Sequence, residues 1–251
     1  TAELHLRLTA DQRHGVARTL SKLGLASRTA AAGWVLDGRV AVNGRIVRDP
    51  EFPVLQASDR LTVDGRPIAS SERIYLLLNK PRGLVTTAAD EQGRETVYRC
   101  FDGAGLPWLA PVGRLDKASE GLLLFSNDPE WAAGITDPVN GPDKTYRVQV
   151  DTLPRPELLE QLVAGVDRGG EHLAAKSARL LRAGEKNAWL EIVLTEGRNR
   201  HLRRLLEARD VSVLRLIRVA IGGLALGDLA RGQWRRLDAG DLARLGTPPP
   251  G

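Results

Sequence analysis

Asp116 stands in Gly113-Arg114-Leu115-Asp116-Lys117-Ala118-Ser119-Glu120-Gly121, a polar loop that runs directly into the apolar stretch LLLFS. A loop feeding a strand puts its side chains at the rim of a sheet. A carboxylate placed there can act as a nucleophile or a general base once its surroundings are tuned. An Asp in a loop is more often a turn or capping residue, so chemistry needs support from elsewhere in the chain. EGRNRHLRRL, residues 196 to 205, offers that support. Helical spacing there puts Arg200, Arg203 and Arg204 on one face while Leu202, Leu205 and Leu206 turn to the core. Such a basic face binds phosphate or pairs with a buried carboxylate; the plainer reading is a solvated amphipathic helix. Between Glu196 and Arg218 there are seven Arg and three acidic residues, and local positive potential of that kind is what holds a phosphate backbone. Tyr146 in KTYRVQV alternates with Val148 and Val150 and so shares their face. It is either a core tyrosine or a platform on which a nucleobase stacks.

These residues need elements to position them. Four segments have the length and apolar content of strands: IYLLLNK, a continuous apolar run that suits a central strand and is stopped by Pro81, LLLFS at 122 to 126, TYRVQV at 145 to 150, and AWLEIVL at 188 to 194. RPELLEQLVAG, with Pro156 near its first turn, and NRHLRRLLEAR read as helices. Upstream, Thr9 and Gln12 fit a capping box that opens a helix ending near Gly24, and Ser27 caps a second helix running to about Gly38. RVAVNGRIV then carries Asn43-Gly44 between two short alternating runs, a hairpin signal, and DRLTVDG adds a strand. Residues 1 to 70 therefore form a small helix-helix-hairpin module with a core too small to be the whole protein. Ala69 to Arg73 is the expected linker, and residues 71 to 251 form a mixed α+β sheet domain with a loose TPPPG tail.

Composition narrows the class. The chain has 251 residues, 42% of them hydrophobic, and a net charge of +5 that makes a polyanionic partner plausible. The single Cys100 excludes an intrachain disulfide, and no Cys/His cluster has zinc spacing, so no metal site is expected. No apolar run approaches the roughly 18 residues of a membrane span, and TAELHLRLTADQRH lacks the apolar core of a signal peptide. A cytoplasmic monomer without membrane contact is the expectation. Because the chain starts at Thr1 without Met, further residues before it are expected.

In combination the motifs resemble a known family. VARTLSKLGLASRTAAAGWVLDGRVAVNGRIVRDP resembles the S4 RNA-binding module, and GRLDKASEGLLLFSND resembles the catalytic-aspartate motif of RsuA-type ribosomal RNA pseudouridine synthases. YLLLNKPRGLVTT, KTYRVQV, EGRNRHLRRLLEA and LIRVAIGGLALGDLARGQWRRL complete the likeness over nearly the full chain. The resemblance implies a fold in which an S4-like domain, residues 1 to 70, precedes a catalytic domain, residues 71 to 251, with a mixed, mostly antiparallel sheet. It implies an isomerase that converts a uridine in ribosomal RNA, or in a ribosomal precursor particle, to pseudouridine without a cofactor. Asp116 becomes the catalytic aspartate, acting covalently or by proton abstraction at the sugar. Arg114 matches the arginine that displaces or replaces the target nucleotide, Tyr146 the tyrosine that packs on the target base, Arg203 the basic residue that pairs with the aspartate, and Leu194 an apolar residue lining the uridine pocket. Arg200 and His201 fall beside these as substrate-binding residues, His201 standing where the commoner sequence has Gln. In the S4-like module Arg18, Lys22, Ser27, Arg28 and Arg39 are placed against RNA phosphates. The GRNR form of the basic segment and the tail that follows resemble members acting on 23S rather than 16S rRNA.

Three other functions compete with this one. An assembly factor that binds ribosomal RNA without catalysis would not need GRLD together with the matched Tyr and Arg. A retaining glycosidase using Asp116 and Glu120 would need about 5 to 5.5 Å between carboxyl groups and a sugar cleft, which 4% aromatic residues support poorly. A two-metal nuclease would need an acidic cluster whose spacing is not present.

Overall fold

The computed structural model describes residues 13–55, 58–68, 72–87, 92–197 and 200–246. Thr9 and Gln12, most of the expected linker, and the TPPPG tail lie outside the described residues; the helix that ends before Gly24 starts at Val16 and not at the expected capping box, because His14–Gly15 pairs as a short strand with Pro53–Val54. The described chain divides into two compact units. One contains residues up to Ile74 together with Gly105–Ala110 and Ser126–Pro129; the other contains Tyr75–Ala104, Pro111–Phe125 and the residues from Glu130 onward. Ser126–Pro129 joins the first unit where the Asn127 side-chain oxygen accepts the Ile74 N–H at 2.9 Å and the Asn127 carbonyl accepts from Arg73 at the same distance.

In the first unit, helices α1 (Val16–Lys22) and α2 (Arg28–Leu36) pack over a small four-stranded sheet. Val16, Leu20, Ala31 and Val35 from the helices meet Val40, Val42 and Leu61 from the strands in one buried cluster. The first helix stops before Gly24, which takes φ +76°, the left-handed conformation that costs glycine least. The expected hairpin forms between Val40–Val42 and Arg45–Ile46. Asn43 and Gly44 both have positive φ, as a two-residue turn matched to strand twist requires. Ser27 is the N-cap of α2, its hydroxyl accepting the Ala30 N–H at 3.0 Å. Ser27→Ala should lower the unfolding free energy of this unit by about 1 kcal/mol, read by urea denaturation, while Ser27→Asp keeps the cap and the stability.

The second unit is built on a nine-stranded sheet. Its strands are β1 (Tyr75–Lys80), β2 (Ala110–Val112), β3 (Glu120–Ser126), β4 (Lys144–Val150), β5 (Ser177–Ala183), β6 (Ala188–Leu194), β7 (Val213–Ile221), β8 (Leu224–Ala225) and β9 (Trp234–Arg236). The order is β5-β6-β4-β7-β3-β1-β9, with β8 on β7 and β2 on β3. The β7–β3 pair is parallel, whereas β4–β6, β4–β7, β5–β6 and β9–β1 are antiparallel. Every residue of β1 and β3 is buried, as continuous apolar runs predict, although β1 stands next to the end strand β9 rather than at the centre. Strands β4 and β6 alternate instead, burying Tyr146, Val148 and Val150 beside Leu190, Ile192 and Leu194 on one face. Helices α3 (Pro129–Thr136), α4 (Pro156–Ala164), α5 (His201–Glu207) and α6 (Ala239–Arg244) complete the unit. Among the described residues no helix is long and apolar enough to cross a membrane.

One glycine is set by close approach. Gly121 takes φ +102° at the parallel β3–β7 contact, and a Cβ there would lie 2.2 Å from the Arg218 carbonyl oxygen. Gly121→Ala must therefore displace β7 and adopt a strained backbone, and should cost about 3 kcal/mol or more, measured as a shift in the urea midpoint.

Candidate active site

The loop carrying Asp116 is held from beneath by a lysine that is 0% exposed. Lys80, the last residue of β1, donates to the carbonyls of Pro81 at 3.1 Å, Asp116 at 3.2 Å and Ser119 at 2.9 Å. An ammonium has three N–H donors and no acceptor, so this cage uses its full capacity. Burial pulls the Lys80 pKa down to about 8, against the opposing charges of Glu120 and Asp116. The turn after β1 continues the bracing: Gly83 N–H donates to the Lys117 carbonyl at 2.8 Å, and the Thr86 hydroxyl donates to the Leu115 carbonyl at 2.7 Å. The Ser119 N–H closes a turn on the Asp116 carbonyl at 2.9 Å. The main chain is thus fixed on both sides of Asp116, whose side chain stays half-buried.

Asp116 lines a cavity of about 460 Å³, a volume within the range of small-ligand sites. Arg114 joins it from the same loop, Tyr146 from β4, Leu194 from β6, and Arg200, His201 and Arg203 from the start of α5. Strand alternation explains Tyr146 and Leu194, whose rings and methyls lie on the buried face. The amphipathic pattern of α5 explains why Leu202, Leu205 and Leu206 are buried while Arg203 reaches the cavity. Arg204 turns elsewhere, bonding Glu171 at 2.6 Å. Arg200 takes φ +48° as the N-cap residue of α5. The seven residues singled out for substrate and chemistry therefore line one cavity.

The expected Arg203–Asp116 ion pair is not formed in this structure. Arg203 instead donates from Nη2 to the Ala118 carbonyl at 3.3 Å, two residues beyond the aspartate. Burial pushes the Arg203 guanidinium below its ordinary pKa, Arg200 adds repulsion, and Asp116 opposes both from longer range. Glu120 does not line the cavity; its carboxylate is held by Arg215 at 2.6 and 3.2 Å and lies 3.6 Å from Arg231. A carboxylate pair with Asp116 is therefore absent, which removes the geometric basis for a glycosidase. Among the described residues no three His, Cys, Asp or Glu are grouped to hold a metal ion.

Sequence reasoning passed over three cations here. Lys80 is one, and the other two, Lys144 and Arg218, line the cavity at 7% and 5% exposure. Arg218 donates from Nε to the Leu122 carbonyl at 2.7 Å, while its Nη2 is buried without a protein acceptor. Burial lowers the Lys144 pKa and the nearby Arg218 charge lowers it further. With Arg114, Arg200 and Arg203 they outnumber Asp116 and Glu196 in the lining, so the cavity suits a ligand with anionic or carbonyl oxygen. The available signal was alternation: Lys144 is in phase with Tyr146, and Arg218 with Leu216.

In the first unit Arg18 and Arg28 are exposed and Lys22 is half-buried. Arg28 lies 3.8 Å from Glu51. Arg39 forms a two-pronged pair with Asp64 at 2.9 and 2.6 Å and sits 5.3 Å from the centre of the Trp34 ring. The Ser27 oxygen is engaged as the helix cap.

Residues 74–208 match the family described as RNA pseudouridylate synthase, and residues 16–61 match the S4 domain. The chain belongs to the RNA pseudouridylate synthase family. Among its relatives in that family is ribosomal large subunit pseudouridine synthase B of Bacillus subtilis (strain 168), 35% identical over 91% of this chain and 93% of the relative. An uncharacterized RNA pseudouridine synthase of Aquifex aeolicus (strain VF5) is 37% identical over 90% of this chain and 91% of its own length. A crystal structure of a pseudouridylate synthase superposes with a TM-score of 0.64 at 28% identity, covering 92% of this chain and 99% of that one. The RsuA-type resemblance and the S4-plus-synthase fold read from the motifs agree with these matches.

Proposed function

We propose that this pseudouridine synthase isomerises a specific uridine of large-subunit ribosomal RNA, with residues 1–70 as an S4-like RNA-binding domain and 71–251 as the catalytic domain. The observation that carries this reading is Asp116, mounted on a doubly braced loop at a cation-rich cavity large enough for one nucleotide. The reaction breaks the bond from the ribose C1′ to N1 of uracil and joins C1′ to C5. The proton lost from C5 goes to solvent and N1 gains one, so atoms balance without a redox partner or group donor. Asp116 acts on the sugar carbon or its neighbouring proton, Tyr146 packs on the base, and Leu194 forms the apolar wall. Arg203 and Arg200 stabilise the carboxylate and the phosphate, with His201 beside them, and Arg114 stands in for the extruded nucleotide. Extrusion costs a few kcal/mol, on the order of the loss of one stacked pair, and the basic surfaces offset it. Arg18, Lys22 and Arg28 contact phosphates in the N-terminal domain; Ser27 and Arg39 shape that surface through the cap and the Asp64 pair. The large-subunit assignment is supported by the likeness to the Bacillus subtilis ribosomal large subunit pseudouridine synthase B. The protein acts as a cytoplasmic monomer.

The direct test is tritium release from unmodified large-subunit rRNA labelled at uridine C5, followed by mapping of the altered nucleotide. Release confined to one site supports the proposal. Release only from small-subunit RNA overturns the subunit assignment, and tight binding with no release from RNA or precursor particles favours an assembly factor.

A further inference from the structure

The sheet that carries the cavity on one face is basic on the other. Cross-strand register aligns Arg182 of β5, Trp189 of β6, Gln149 of β4 and Arg215 of β7 in one row, and Arg179, Glu191, Arg147 and Ile217 in the next. All lie opposite to the phase of Tyr146, Leu190 and Leu194, so none shares the cavity face. With strands about 4.8 Å apart and alternate residues about 6.8 Å apart, the four arginines occupy a patch of roughly 14 by 7 Å. Arg147, Arg179 and Arg182 are exposed. The Arg182 and Arg215 guanidinium carbons lie 5.6 and 5.9 Å from the centre of the Trp189 ring, a stacking arrangement that reduces their side-chain freedom.

The acidic groups on this face are already engaged. Glu191 is bonded by Arg179 at 2.8 Å and Glu120 by Arg215 at 2.6 Å. Arg147 and Arg182 have no carboxylate in ion-pairing distance among the described residues. A protein interface would need a desolvated apolar anchor, and the one large aromatic here, Trp189, is attended by two guanidinium groups. Forked donors held on a rigid sheet, in excess over carboxylates, match phosphate oxygens instead.

We propose that this face binds the phosphate backbone of an RNA segment remote from the target nucleotide, giving the enzyme a second hold on its large substrate. The proposal rests on the ribosomal RNA reading above for the identity of that RNA. Because the face lies across the sheet from the cavity, it contributes affinity and register and does not touch the reacting uridine.

The test compares wild type, R147A/R182A and R147K/R182K in filter binding to an unmodified large-subunit rRNA transcript across a salt series. R147A/R182A should raise Kd about tenfold at low salt and reduce the log–log salt slope by about 1.4 to 1.8, the effect of two lost phosphates. R147K/R182K should keep the slope, and kcat at saturating RNA should stay unchanged in both. A short stem-loop containing the mapped target should bind all three proteins alike. Unchanged Kd and slope for R147A/R182A, with its thermal melt intact, overturn the proposal. So does a defect seen only on precursor particles, which would mean a ribosomal protein docks there. If R147A/R182A melts early, R147Q/R182Q takes its place under the same criteria. Binding is read without catalysis, so wild type that shows the expected salt behaviour yet releases no tritium defeats the isomerase reading while leaving this one standing.

Discussion

Asp116→Asn should abolish tritium release from C5-labelled RNA, lowering the rate by at least about a thousandfold, within the range for loss of a positioned acid–base group. The substitution keeps the shape of the side chain, and the loop geometry does not depend on the carboxylate. Lys80, Gly83 and Thr86 hold main-chain atoms at 115–119, and the Asp116 bonds that brace the loop run through its carbonyl. Folding should therefore survive. The sign of the effect on binding separates chemistry from structure. Asp116 is negative in a lining that also holds Arg114, Arg200 and Arg203, so neutralising it raises the local positive potential and should leave RNA affinity equal or tighter. A parallel loss of binding and turnover would show that Asp116 shapes the site instead of acting in it. Free uracil among the products of wild type would point to hydrolysis, a result the engaged state of Glu120 argues against.

The parts of the site that were legible in sequence are those that sit in regular elements with a clear period. Tyr146 and Leu194 follow from two-residue alternation in β4 and β6, and Arg203 from the apolar face of α5. The hairpin at Asn43-Gly44 was legible because a two-residue turn demands positive φ at both positions. Strand β5 escaped detection because it is an end strand with a register shift between Leu180 and Arg182, and its burial does not alternate. Strand β7 escaped for the opposite reason: Arg218 occupies an inward position that an apolar residue would ordinarily fill. Lys80 was hidden within a run read as hydrophobic, since nothing in IYLLLNK distinguishes a lysine that ends a strand in solvent from one caged by three carbonyls. The Arg203 contact was misjudged because residue types specify attraction between Arg203 and Asp116 but not which acceptor on the loop lies nearer.

Under the two proposals above, the two faces of the β4–β6–β7 layer divide the work between them. On the cavity face, buried cations with few protein acceptors are offered to one nucleotide; on the other, exposed arginines are spread along strands at a spacing fixed by the sheet. Stiff strands couple the two, so an RNA held on the outer face is presented to the cavity in a limited set of orientations. Proximity gained this way raises kcat/KM on long RNA without altering the chemical step.

Lys80→Met should reduce kcat by about a hundredfold, the effect of roughly 1 Å of misplacement at a reacting group, and should remove the alkaline limb of the pH profile. The cage needs three N–H donors, and only the ammonium supplies three; the neutral amine has two. With the folded-state pKa at about 8, wild-type kcat/KM should fall as pH rises through that value, as one of the three carbonyls loses its donor and the Asp116 loop loosens. Stability moves the other way. The folded pKa lies below the ordinary 10.5, so between these values the unfolded chain binds more protons than the folded one, and this group makes unfolding costlier as pH rises. Below about pH 8 both states hold the proton, and the burial cost is carried in full. Activity falling above pH 8 while the contribution of Lys80 to stability rises is a signature that general alkaline unfolding cannot produce. Measured kcat/KM and urea midpoints from pH 6.5 to 10 in both proteins decide it: a limb near pH 8 that persists in Lys80→Met would assign that titration to another group and leave Lys80 a structural residue alone.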